Sequence, residues 1–261
     1  MARGIGLKLF AALMSAIIVL PVIAVVPVAF SAHSYARLPP RAWSLRWWSA
    51  FFADPTWLAS LIVSLEVAVL SAIACIVIGT AAAIGMNQLP SLARKFVTGL
   101  FLGPMIAPVI VLAVGLYSLA RATGLVGSLS GLVIAHTMLA MPYAVLNIGV
   151  SLAALDPHLA LAAAGLGADS WRIFRTVTLP LILPGISGGA AFAFVTSFDE
   201  VVLAIFLSGP QVKTLPVRIW EEIRVEYTPV VAVAATIMIV LAVVGAVLGR
   251  LIGRVRQEAR A

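Results

Sequence analysis

The sequence predicts an all-α, polytopic membrane protein with six transmembrane helices. Its residues are 62% hydrophobic and only 10% charged, whereas a soluble domain carries roughly 25% charged residues. Six stretches each offer the roughly 20 apolar residues that cross about 30 Å of hydrocarbon. Backbone groups inside lipid must pair within their own segment, so these stretches are predicted as helices. They form one predicted domain over 1–261, with spans at about residues 8–31, 58–86, 96–119, 130–153, 181–208 and 229–252.

The first span follows Arg3 and Lys8, as the core of a secretory signal would. Its apolar run is longer than the roughly 7–15 residues of such a core, so we predict a retained helix. With a cytoplasmic N-terminus, ten Lys and Arg residues fall in cytoplasmic segments and seven in outer ones. This excess predicts that both termini are cytoplasmic. The net charge of +7 is scattered between spans, so it indicates topology rather than a nucleic-acid partner.

Two outer segments are predicted to hold short helices. The aromatic-rich segment RAWSLRWWSAFFADPTW is predicted to lie along the membrane surface, because aromatic rings prefer the headgroup layer. In KTLPVRIWEEIRVEYTP, Thr214 is placed to cap a helix and Pro216 lies near its first turn. Ile219, Trp220 and Ile223 then share one face of this short amphipathic helix.

The cytoplasmic segment at about 156–180 is predicted to form two short helices at an angle. Asp156 caps the first, and Gly165 and Gly167 end it. Asp169 or Ser170 caps the second, and Leu179 with Pro180 is expected to terminate it. Its rings and arginines fall on different sides, with Trp171, Phe174 and Thr178 on one and Arg172 and Arg175 on the other. Protruding rings are costly in water, so we expect either a partner or the membrane surface to cover them.

This segment resembles the EAA motif of ABC importer permeases. The matching residues are Ala162, Ala163, Gly167, Val177, Leu179 and Pro180, while Leu161 stands where the motif has its leading Glu. The resemblance implies the type I importer transmembrane fold, also called MetI-like. It also implies that the segment is a coupling helix seated on a cytosolic ATPase. The implied coupling residues are Ala162, Ala163, Gly167, Asp169, Trp171, Arg172, Phe174, Leu179 and Pro180.

The stretch from Ser197 to Arg224 resembles PotC-type permeases of spermidine/putrescine importers. The resemblance implies a location in the bacterial inner membrane. It also implies four partners, which are a second permease, two cytosolic ATPase subunits that use ATP and Mg, and a periplasmic substrate-binding protein. The sequence has no GxxxxGK[ST] loop and no HExxH pair, and Cys75 is its single cysteine. We therefore predict no catalytic residue, metal or cofactor in this chain.

Three carboxylates fall inside predicted spans, where each costs roughly 2.5–3.5 kcal/mol on insertion scales. Glu66, Asp199 and Glu200 are predicted at one depth, about 12–14 Å below the outer surface, counting about 1.5 Å per residue. They are candidates for a cation pathway. Phe198 is a candidate gate or, alternatively, a ring packed in the core. The alternative is that they pair with His136, Arg121 or backbone groups and fasten helices together.

Other functions stay open at this point. The same importer class can carry an amino acid, an aminophosphonate or a ferric ion instead of a polyamine. A stand-alone secondary transporter would use Asp199 or Glu66 to couple to an ion gradient. It would need no ATP, and this chain alone would catalyse uptake.

Overall fold

The computed structural model describes residues 2–35, 38–225 and 228–258. Along these residues, α-helices follow one another with a single π-helical stretch, the π segment, between α8 and α9. The helices are α1 (Ala2–Val28), α2 (Arg46–Ala53), α3 (Pro55–Asn87), α4 (Ser91–Ile106), α5 (Val109–Ala122), α6 (Leu129–Ala153), α7 (Pro157–Gly165), α8 (Ser170–Ile173), the π segment (Phe174–Thr178), α9 (Leu179–Phe198), α10 (Val202–Leu207), α11 (Leu215–Val225) and α12 (Val230–Glu258).

Within the described residues, five helical stretches are long and apolar enough to cross a membrane, and a sixth is possible if α4 and α5 form one bent span. These two helices correspond to the predicted span 96–119, and they meet at an angle of 103°. The span predicted there as one helix is broken into two helices. Pro108 has no backbone N–H and holds Ala107 in an extended conformation at ψ 140°, which a continuous helix does not allow.

The predicted span 181–208 is also interrupted. α9 ends at Phe198, and α10 begins only at Val202. The Glu200 carboxylate accepts a hydrogen bond from the Leu203 backbone N–H at 2.9 Å. This contact satisfies a free donor in the first turn of α10, so it starts a new helix instead of continuing α9.

Close contacts divide the described chain into two compact units, whose boundary falls within α3 and within α12. Unit 1 holds residues up to 60 and 215–240, and unit 2 holds 61–214 and those from 241 on. The single domain predicted over 1–261 stays a prediction.

Unit 1 is rich in aromatic contacts. Phe51 is buried, and its ring centroid lies 5.6 Å from that of Trp57. The Arg218 guanidinium lies 5.3 Å from the Trp57 centroid. α11 forms where it was predicted, with Pro216 in its first turn. Thr214, the residue of unit 2 that precedes α11, does not cap this helix as predicted, because its hydroxyl is buried with no hydrogen-bond partner among the described residues.

Unit 2 is held together by close packing of α6 on α9. A Cβ placed at Gly185 would lie 2.6 Å from the Asn147 carbonyl oxygen, and one at Gly189 would lie 3.1 Å from the Ala144 Cα. Only small residues allow backbones to approach so closely, which is how helices pack in lipid. Cys75 is fully buried and its thiol donates to the Thr137 carbonyl at 3.4 Å.

Candidate coupling segment and membrane carboxylates

The coupling segment (residues 156–180) begins with α7, whose two ends form as predicted. The Asp156 carboxylate accepts a hydrogen bond from the His158 N–H at 2.9 Å. Gly167 has a φ of +83°, and its N–H donates to the Ala164 carbonyl at 2.9 Å, while the Ala168 N–H donates to the Ala163 carbonyl at 3.1 Å. These two bonds form a Schellman motif, which needs the left-handed conformation that glycine adopts without strain.

The second helix of the coupling segment begins as predicted but does not end as predicted. The Asp169 carboxylate accepts from the Arg172 N–H at 2.7 Å and caps α8. The chain then stays helical through the π segment into α9, so the expectation that Leu179 and Pro180 terminate it is wrong. The Leu179 N–H bonds to the Phe174 carbonyl, five residues back. This wider turn accommodates Pro180, which lacks an N–H and would clash with a carbonyl in a regular α-helix.

The surface of the coupling segment includes large apolar side chains. Leu161 is 66% exposed, Trp171 is 67% exposed, and Leu166, beside the Schellman turn, is 90% exposed. The Trp171 and Phe174 ring centroids lie 5.5 Å apart. Among the other residues that the EAA resemblance implies, Ala162 and Arg172 are exposed, whereas Ala163, Leu179 and Pro180 are half-buried.

A groove of about 770 Å³ lies between the coupling segment and the ends of α3 and α6. Most of its lining side chains are apolar, and Asn87, Gln88 and Asp156 are among the polar ones. Because its walls include the ends of two long helices, the coupling segment lies against the end of the helical bundle of unit 2. Its apolar lining is Ile84, Leu152, Leu155, Pro157, Leu159, Ala160, Leu161, Trp171, Ile173, Phe174, Val177 and Leu181.

The two adjacent carboxylates after α9 have different surroundings. Asp199 and Glu200 lie in the break between α9 and α10, not within the predicted continuous helix 181–208. Glu200 is half-buried and caps α10, which is the backbone pairing that the structural alternative expected. Asp199 is exposed, and its carboxylate accepts no hydrogen bond and forms no ion pair within the described residues.

Glu66 lies on an exposed apolar stripe of α3. Ile62, Val69, Ile73 and Val77 are exposed on the same helix face at spacings of three or four residues. In the part of the chain that the structure describes, the Glu66 carboxylate has no hydrogen-bond donor or cationic partner. A charged group on such a stripe is unfavourable against lipid.

The three carboxylates do not share one depth. The Ser71 hydroxyl on α3 donates to the Val133 carbonyl on α6 at 3.2 Å, and His136 on α6 lies level with Ser197 on α9. Counting about 1.5 Å per residue from these contacts places Glu66 about 9 Å from the level of Asp199, toward the beginning of α3. The prediction that the three carboxylates lie at one depth is therefore wrong for Glu66.

His136 and Phe198 are packing residues in this structure. The His136 Nδ1 lies 2.9 Å from the Ser197 hydroxyl and 3.1 Å from its carbonyl oxygen, so this histidine pairs with a serine and not with the carboxylates. Phe198 is 1% exposed and stacks on Phe194, with centroids 5.5 Å apart. Its side chain therefore does not gate an open path in this conformation. The Ser197 contact had no signal in the sequence, because it depends on how α6 and α9 are aligned.

The described residues contain no group of three or more His, Cys, Asp or Glu side chains arranged to hold a metal ion. Together with the apolar helices, these features define the class as a polytopic helical membrane protein with an exposed, partly apolar segment at one end of its bundle. This class includes transport subunits that work with separate protein partners.

Comparison with known proteins identifies the family. The family model "Binding-protein-dependent transport system inner membrane component" matches residues 75–257. The chain belongs to this family, and it is therefore an integral inner-membrane component of a transport system that depends on a binding protein.

Relatives and solved structures agree with this assignment. The spermidine/putrescine transport system permease protein PotC of Haemophilus influenzae is 32% identical over 223 residues, covering 85% of this chain and 86% of that protein. A bacterial ABC transporter that imports the acidic polysaccharide alginate superposes with a TM-score of 0.73 at 15% identity, covering 95% of both chains. The MetNI methionine ABC transporter gives a TM-score of 0.61 at 19% identity, covering 80% of this chain and 100% of that one. The fold is thus the type I importer transmembrane fold that the EAA resemblance implied.

Proposed function

We propose that this chain is one of two permeases of an ATP-driven importer for polyamines or a similar small organic cation. The similarity to PotC of H. influenzae supports a polyamine as the cargo. The observation that carries the proposal is a pair of carboxylates, Glu66 and Asp199, that have no partner within the described chain although both lie along membrane helices or at their ends. Such groups are costly in lipid, so they indicate a polar path or a second subunit beside them.

A polyamine suits the arrangement of these carboxylates. Each ammonium group of the cargo is attracted by a carboxylate, more strongly where little water remains. Two acids separated along the bundle by about 9 Å, as the helix alignment places them, allow a cation to pass from one to the other. Glu200 is already engaged by the backbone of α10 and takes no such part.

Energy reaches this chain through the coupling segment. ATP and Mg are held by two cytosolic ATPase subunits, and a periplasmic binding protein delivers the cargo. Both termini of the chain are cytoplasmic, and none of its residues performs bond chemistry. The unbroken helical stretch from Ser170 to Phe198 supports this role, because a displacement of Trp171 can be transmitted along it to the end of α9 beside Asp199.

Reconstitution of the importer in liposomes tests the proposal. The assay measures uptake of labelled spermidine with the binding protein outside and ATP inside. We expect accumulation that requires ATP and is competed by putrescine. Uptake by this chain alone, driven by a proton or sodium gradient, would show a secondary transporter instead. Uptake of an amino acid, aminophosphonate or ferric ion but not of spermidine would overturn the cargo and leave the importer role intact.

A further inference from the structure

The charges on the coupling segment are unequally available. Its two carboxylates, Asp156 and Asp169, each accept a backbone N–H at the start of a helix, at 2.9 Å and 2.7 Å. Their negative charge is offset by the positive ends of these helices. Arg172 and Arg175 are exposed, and their guanidinium groups have no hydrogen-bond or ion-pair partner within the described residues. Both aspartates are exposed and keep their charge, but Arg172 and Arg175 are the charged groups that no contact engages, so they are available to a partner.

The same surface offers apolar area next to these arginines. Leu161 stands where the EAA motif has a glutamate, and it is among the exposed large apolar side chains together with Leu166 and Trp171. The groove beside them is open to a side chain from outside. A glutamate at position 161 would need a cation or water opposite it, whereas a leucine needs an apolar surface.

We propose that the ATPase subunit receives the coupling segment in a cleft that is apolar opposite Leu161 and acidic opposite Arg172 and Arg175. An apolar side chain of the ATPase enters the groove. This proposal rests on the coupling function proposed above and specifies the chemistry of the partner. Charge complementarity across an interface selects the partner and steers its approach, and an apolar anchor supplies affinity.

The position of the coupling segment favours a protein partner over a lipid surface. Its groove has the ends of α3 and α6 as walls, so the segment covers the end of the bundle instead of extending beside it. Anionic headgroups would also attract Arg172 and Arg175, and the experiment distinguishes the two.

Titration of the purified ATPase subunit of this importer tests the proposal. The full chain is held in nanodiscs of phosphatidylcholine, with and without added phosphatidylglycerol. The double variant Arg172→Glu/Arg175→Glu should weaken ATPase binding about tenfold, since two attractions become repulsions. The matched double reversal Arg41→Glu/Arg121→Glu, far along the sequence from the segment, should leave the affinity unchanged. The tenfold loss should shrink as salt is added.

Substitutions at position 161 test the sign of the charge in the cleft. Leu161→Glu should weaken ATPase binding more than the neutral Leu161→Gln does. The added carboxylate would face the apolar part of the cleft and lie near its acidic part. Tighter binding of Leu161→Glu would mean a basic cleft and would overturn the proposal.

The remaining outcomes distinguish the acidic cleft from the coupling function. Wild-type binding with equal affinity for all variants would overturn the acidic cleft and leave coupling intact. No binding of the wild type would overturn the coupling function itself. An effect of the arginine reversal that appears only with phosphatidylglycerol would assign these arginines to lipid and likewise overturn the proposal.

Discussion

Asp199 and Glu200 are neighbours in sequence with different surroundings, and replacing each by its amide should separate their roles. A unit charge 4 Å from another contributes about 1 kcal/mol in water and about 4 kcal/mol at an effective dielectric constant of 20. Asp199 is exposed in this chain, so its attraction for one ammonium group belongs near the lower value, at about 1–2 kcal/mol. Asp199→Asn should therefore reduce kcat/KM for spermidine uptake about 5- to 30-fold. Glu200→Gln should have a smaller effect, because its amide oxygen still accepts from the Leu203 N–H.

The assay is initial-rate uptake by the reconstituted importer, with ATP hydrolysis measured in parallel. Hydrolysis stimulated by the binding protein should persist in Asp199→Asn, which shows that the complex assembles. The loss should be larger for spermidine than for a singly charged amine, since more charge passes the site. Equal losses for the two amides, or unchanged spermidine uptake in Asp199→Asn, would remove Asp199 from the pathway.

Three further outcomes are expected. Gly167→Val forces a branched residue into a left-handed conformation that costs about 1–2 kcal/mol, so ATP hydrolysis should continue with reduced uptake, whereas the control Gly165→Ala, in open space, should stay coupled. Phe198→Ala removes a buried ring and should lower the thermal unfolding midpoint in detergent, with Phe192→Ala as the exposed control; equal midpoints would contradict the packing role. The purified chain alone should release no phosphate from ATP, and robust hydrolysis would refute the division of labour.

Local features of the coupling segment were readable from the sequence because they depend on neighbouring residues. Asp156 and Asp169 cap the helices that follow them, and Gly167 adopts the positive φ that ends α7. Each of these is decided within one helical turn. The prediction for Pro180 is wrong because a proline near a helix start has two outcomes. It can end the preceding helix or be absorbed in a wider turn, and the π segment shows the second.

The sequence by itself determined that this chain is helical and membrane-embedded, because lipid leaves the backbone of a long apolar stretch no other way to satisfy its hydrogen bonds. It also determined where the coupling segment lies, since caps and left-handed glycines act locally. Only the tertiary structure decided which carboxylates are free. Glu200 is engaged through the break after α9, His136 takes Ser197 as its partner, and Glu66 is displaced in depth from Asp199. Those outcomes depend on how α3, α6 and α9 slide along one another, and close packing between helices fixes that alignment through contacts far apart in sequence.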